Sequence, residues 1–223
     1  MTKYTIDIVS DTVCPWCYIG YRRLTKAITL HRQQHPNDTF TLSWHAYYLN
    51  PNGPTYPGVD KRAHYEQKFG GAGRVDAIFA RLAAAGAQEG IQFKFGGKTG
   101  RTRDSHRLIY LSGKKYGAEV QTKVVLELFR AYFEEERNIT DKAVLLKAAV
   151  GTGSIPQSEA QAWLDSDEGG PEVDQEAREA SQVKFVTGVP HYTINGKYVV
   201  EGAEEPDVFV DMFERAKEEE KTA

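Results

Sequence analysis

Thiols are scarce in this chain: its 223 residues include two cysteines, and both fall in one stretch, DTVCPWCYIGYRRL, residues 11–24. Two cysteines are too few for the four-ligand thiolate sites typical of structural zinc. Long apolar runs are missing too, and no window approaches the roughly 18 residues that a membrane-spanning helix needs. The opening residues, MTKYTIDIVSD, read as a strand and lack the apolar stretch of a secretory signal. Basic clusters are also lacking. The 28 Lys and Arg are scattered among 31 Asp and Glu, for a net charge of −3, which argues against nucleic acid or an anionic membrane as partner. There is no internal repeat and no low-complexity linker. These absences leave a globular protein whose expected address is the cytoplasm, where a CxxC pair is more often redox-active or metal-bound than structural.

The strand signal is concentrated at the two ends. YTIDIVS (4–10) alternates and is β-branched, and TFTLSWHAYYL (39–49) reads as a second strand. Between them an apolar period of Ile19, Leu24, Ala27 and Ile28 predicts a helix that starts at the cysteines, with Pro15 in its first turn. After the loop NPNGPTYPG (50–58) the patterns are helical, interrupted by glycines at 70–73. The clearest helix is EVQTKVVLELFRAYFEEERN, with Val124, Leu128, Ala131 and Tyr132 on one face. Shorter helices fit 141–150 and 157–166, and a longer one fits 171–185. VPHYTING and KYVVEG then flank Asn195-Gly196, a two-residue hairpin signal. A last amphipathic helix fits 206–217, with KEEEKTA as a solvated end. Sheet at both ends predicts one α/β fold interrupted by a helical insertion: 1–52 and 172–223 form the sheet domain, and 53–171 the insertion.

Two cysteines separated by Pro15 and Trp16 can form a disulfide, share a metal or attack a substrate in sequence. At a helix N-terminus, unpaired N–H groups and the helix dipole favour a negative sulfur at Cys14. Cys17, one turn on, is placed to attack a mixed disulfide formed at Cys14. Pro15 and Trp16 make a stiff apolar pair that either shields the inner sulfur and meets partners or simply starts and packs the helix. A metal site is not expected. His31 and His35 are spaced i, i+4, but at the opposite end of the same helix, and read as exposed polar residues. FGGAGR lacks the Lys-Ser/Thr of a phosphate loop and reads as a turn. Val189-Pro190 stands just before a strand. Local sequence favours an ordinary trans proline there; a cis bond would leave the preceding backbone open to pair with an extended substrate. His191 and His106 each have two readings, a site role tuning the thiolate or a structural one.

CPWC after a first strand, GVP before a late hairpin and helices between them resemble the thioredoxin superfamily, and more narrowly its DsbA-like group and FrnE-like branch. The resemblance runs through LNPNGP, AAAGAQEGIQF, SHRLI, LFRAYFEEERNITD, SDEG and GVPHYTINGKYVVEGA. It implies a thioredoxin-like fold with an inserted α-helical domain and thiol–disulfide oxidoreductase activity on protein thiols and disulfides. In that family Cys14 would be the exposed nucleophile, Cys17 the buried resolving thiol and Pro190 the cis-proline facing them. No cofactor is implied, and glutathione is open as a co-substrate. Arg101-Thr102 ahead of SHRL and His191 after GVP depart from the family pattern and bear on partner choice. Two other functions compete. One is a glutathione-dependent transferase or isomerase resembling the kappa-class transferases and chromene-carboxylate isomerases, relatives that often lack the second thiol. The other is a non-enzymatic module whose surface the disulfide switches.

Overall fold

A computed structural model describes residues 1–222. Strand β1 (Lys3–Ser10) alternates at first, burying Tyr4, Ile6 and Ile8, and near its end is covered on both faces. It feeds through a short turn into helix α1 (Pro15–Gln34), which stops just before Pro36, a residue that disfavours helical backbone ahead of it. Strand β2 (Thr39–Ala46) returns parallel to β1, from Lys3 opposite Thr39 to Ser10 opposite Ala46. It ends before the predicted Leu49, because Asp11 draws the Leu49 amide into the turn instead.

The helical segment begins with β3 (Val59–Asp60), α2 (Lys61–Phe69) and α3 (Ala72–Gln88). Gly70 ends α2 at φ 85° and Gly71 opens α3 at φ 109°, so the glycine-rich stretch is the turn its composition predicts. Next come β4 (Lys98–Thr99), which pairs with β3, and α4 (Arg103–Tyr116) and α5 (Ala118–Phe129). The last turn of the strongest predicted helix widens into a π-turn at Arg130–Glu134. Then follow α6 (Lys142–Gly151), α7 (Gln157–Asp165) and α8 (Gly170–Arg178). The single helix expected over 171–185 is thus α8 followed by a second π-turn, Glu179–Val183.

Strands β5 (His191–Ile194) and β6 (Tyr198–Glu201) form the hairpin that Asn195-Gly196 predicts, with φ of 51° and 67° at those two residues. The sheet order is β2-β1-β5-β6, with β5 antiparallel to β1. Helix α9 (Pro206–Thr222) closes the chain and takes up most of the tail that the sequence leaves in solvent. Lys217 pairs with Asp38 and Lys197 with Glu219, so the charged tail has partners that hold it helical.

The helices are fastened to the outer edge of β2. Gln121 of α5 accepts from the Trp44 amide and donates to the Trp44 carbonyl, both at 3.0 Å, and Glu176 of α8 accepts from the Ala46 amide at 3.0 Å. Side chains thereby satisfy the free backbone groups of an edge strand. One continuous apolar cluster runs from Ile6 and Ile19 to Leu128, Leu145 and Trp163. On the other side Phe209 and Phe213 of α9 are fully buried, and Tyr4 donates its hydroxyl to the Phe213 carbonyl at 3.0 Å. Among the described residues, no helix is long and apolar enough to cross a membrane.

Candidate active site

The two cysteines meet at the junction of β1 and α1. Asp11, fully buried in the turn, accepts the Cys14 amide on its backbone oxygen at 3.0 Å and the Leu49 amide on Oδ2 at 2.8 Å. Cys14 caps α1 in extended conformation, Pro15 follows in the first turn, and the Cys17 amide donates to the Cys14 carbonyl at 3.1 Å. The cysteines are free and 3.5 Å apart. Burial pushes the Cys17 thiol well up, and the neighbouring Cys14 adds to the effect against the opposing Ser10 hydroxyl.

The loop before β5 covers the pair. The Val189–Pro190 bond is cis, and Cys14 Sγ donates to the Val189 carbonyl oxygen at 3.4 Å. Beneath the loop, Gly20 of α1 lets the helix approach: a Cβ there would lie 3.1 Å from Pro190 Cγ and would strike the Tyr192 hydroxyl. Only a glycine admits that contact.

A cavity of about 380 Å³ opens from this junction. Cys14, Pro15, Trp16 and Val189 line one side of it, and Tyr65, Phe69, Ile78 and Leu82 of α2 and α3 line the other. The lining is mainly apolar; His64 and Lys68 supply polar groups. Burial lowers His64, helped by Lys68, and raises the Tyr65 phenol to about 12. Cys17 is not among the lining residues. Both cysteines are buried, Cys14 at 4% exposure and Cys17 at 1%. Cys14, expected from the resemblance to be exposed, is instead buried and borders the cavity beside Trp16 and Val189.

The histidines separate. His106 is buried, with Nε2 3.4 Å from Asp11 Oδ1 and its ring against Tyr48, so it touches the turn through Asp11 rather than through sulfur. His191 stands opposite Val9 and Glu201 in the sheet, its Nδ1 3.9 Å from Glu201, and does not line the cavity. The structure corrects the expectation for His31, which is 2% exposed because Asp38 and α9 enclose it; His35 is half-buried beside it. The sequence reading missed Asp11 and the α2–α3 wall. An aspartate between a buried strand and CxxC was a signal for the first. For the wall, amphipathic spacing does not tell which helix face will meet the sulfur.

A model of the DSBA-like thioredoxin domain matches residues 5–214. The chain belongs to the DSBA-like thioredoxin family. DSBA-like proteins are disulfide oxidoreductases or isomerases, which makes the chain an enzyme of that type rather than a non-enzymatic module. A probable DsbA oxidoreductase from Streptomyces coelicolor is similar at 27% identity and TM-score 0.85, covering 97% of this chain and 91% of its own. A 2-hydroxychromene-2-carboxylate isomerase is similar at 17% identity and TM-score 0.66, covering 98% of each chain. The cytosolic disulfide reductase DsbM of Pseudomonas aeruginosa, solved with GSH, is similar at 17% identity and TM-score 0.56, covering 96% of this chain and 99% of its own. At such identities the last two share the fold with this DSBA-like chain. No match is found among the curated proteins.

Proposed function

We propose that the chain is a thiol–disulfide oxidoreductase whose redox centre is the Cys14–Cys17 pair. One observation carries the reading: Cys14 both caps a helix and opens into an apolar cavity, while Cys17 lies 3.5 Å away and away from that cavity. Cys14, at the N-terminus of α1, gives up its proton and attacks one sulfur of a substrate disulfide as the thiolate. The S–S bond breaks, the departing sulfur leaves as a thiolate and takes a proton, and a mixed disulfide remains on Cys14. Cys17 then gives up its proton and attacks Cys14 Sγ, releasing the second substrate thiol. The substrate is reduced by two electrons and the Cys14–Cys17 pair is oxidised. The reverse sequence oxidises a dithiol, and the redox poise of the compartment sets the direction.

Pro15, Trp16, Val189 and Pro190 form the rim that a bound partner meets in this proposal, and segment 53–171 supplies the opposing wall. His106 acts through Asp11, and His191 stands outside the mechanism. No cofactor is needed. Protein disulfides are the proposed substrates, with glutathione as a candidate small thiol, and the setting is cytoplasmic. The fold shared with a cytosolic reductase solved with GSH supports both points. Placement in the FrnE-like branch rests on the order of sequence motifs.

Trapping tests the proposal. A Cys17→Ala variant incubated with cell extract accumulates mixed disulfides on Cys14, and Cys14→Ser accumulates none. Equal labelling of the two variants rules the mechanism out. A second reading is favoured by the apolar cavity and by the fold shared with a 2-hydroxychromene-2-carboxylate isomerase. Under that reading Cys17→Ala keeps full glutathione-dependent isomerase activity while the unaltered chain reduces no disulfide.

A further inference from the structure

At the far end of α1 stands a second set of side chains that the redox chemistry does not use. His31 and His35 sit one helical turn apart with ring centroids 4.6 Å from each other, and both face Glu214 of α9. Asp38 accepts from the Thr2 amide at 2.8 Å and from the Lys217 ammonium, and its Oδ2 lies 3.0 Å from His31 Nε2. A carboxylate already acting as acceptor to two donors orients His31 with its Nε2–H toward Asp38. The lone pair of Nδ1 is then turned the other way.

That second nitrogen is the unusual one. His31 is 2% exposed and its Nδ1 has no hydrogen-bond partner among the described residues, although Glu214 Oε1 lies only 2.9 Å from it. The same oxygen is 3.1 Å from His35 Nε2. His31, His35 and Glu214 thus bring their ligand atoms together, all within 4.8 Å of one another. A buried ring nitrogen without a hydrogen bond, a second imidazole and a carboxylate oxygen this close make a donor set that a cation would satisfy.

We infer that His31, His35 and Glu214 form a site for a divalent metal ion of the zinc class, binding α9 to the end of α1. Two imidazoles and a carboxylate suit zinc better than magnesium or calcium, which favour all-oxygen shells. The Asp38–His31 contact is the carboxylate–histidine support that fixes the tautomer of a metal-binding imidazole. Bonds of about 2.0–2.1 Å in a tetrahedron hold ligand atoms about 3.3 Å apart. Glu214 Oε1 stands 2.9 and 3.1 Å from the two ring nitrogens, which lie within 4.8 Å of each other, so binding requires side-chain rotation of Glu214 and His35 around the ion. His31 is wholly covered, whereas the side chains of His35 and Glu214 are 26% and 39% exposed. The open side faces solvent and leaves room for water as a fourth ligand.

The test uses metal-free protein carrying Cys14→Ser and Cys17→Ser, so that zinc cannot settle on the thiols. Calorimetric titration with zinc chloride is expected to give one ion per chain. Adding His35→Ala or Glu214→Gln to that background weakens the affinity by about tenfold or more. Zinc also raises the melting temperature of the parent and leaves that of the His35→Ala protein in place, which separates loss of the site from loss of the fold. Cobalt(II) gives visible absorption bands with the parent alone. Equal zinc affinity with and without His35, or no zinc binding by the folded parent, overturns the inference. Neither result touches the cysteine mechanism, which this background has removed.

Discussion

The thiol of Cys14 donates to the carbonyl oxygen of Val189 across 3.4 Å, and the cavity begins at this contact. Cys17, directly behind, is pushed up by burial and shut off from the same space. A small electrophile such as iodoacetamide therefore meets two different sulfurs. At neutral pH the Cys17→Ala protein is expected to alkylate at least about tenfold faster than the Cys14→Ala protein, since reactivity follows thiolate fraction and access. Mass spectrometry over a time course measures both rates, and similar rates would remove the distinction between attacking and resolving sulfur.

Gly20→Ala adds one methyl group where α1 passes Pro190 and Tyr192. The substitution gains about 1 kcal/mol of helix propensity, but overpacking against a buried phenol and a proline ring costs about 1–3 kcal/mol. The expected outcome is a lower urea midpoint together with reduced disulfide reductase activity, because the loop that must yield is the one covering Cys14. Unaltered activity at full stability would show that the loop adapts freely.

His45 links β2 to α8 by way of Glu176 and reaches Asp7 on β1. Burial disfavours its charge, yet hydrogen bonds to Asp7 and Glu176 outweigh burial and raise it from 6.5 to about 9. The folded protein holds this proton more tightly than the unfolded chain does. The stabilisation is complete below about pH 6.5 and is lost as pH rises through about 9. With the ring 34% exposed, screening limits the effect to about 1 kcal/mol. Denaturation curves of the unaltered chain and His45→Gln should differ most at pH 6 and converge by pH 10; a constant difference across that range would contradict the assignment.

His191 follows the proline of the covering loop in sequence, yet in space it neighbours Glu201 and is lowered chiefly by burial. His191→Ala is expected to leave the pH profile of Cys14 alkylation superimposable on that of the unaltered chain. A displaced profile would return this imidazole to the mechanism.

Local signals carried much of the fold. β1, α1 and β2 follow from period and capping, and Asn195-Gly196 specifies its hairpin within a few residues. The placement of the two cysteines was legible for the same reason, since Cys14, Pro15 and Cys17 share the first turn of α1. What the sequence hid depends on distant partners. His31 read as exposed because nothing near it indicates that Glu214 and Lys217 return to cover Asp38 and the end of α1. The π-turns escaped because one extra residue in a helical turn leaves the apolar period nearly unchanged. Ile78 and Leu82 sit on an ordinary amphipathic stripe, and only the docked helix shows that the stripe faces sulfur.

The Cys14 side of the cavity comes from the two chain ends, and its facing wall from the helices between them. Under the proposed function, the sulfur chemistry lies in one stretch of the gene and part of the surface a substrate meets lies in another. Replacements along α2 and α3 could retrain what is admitted while the sulfur chemistry stays as it was.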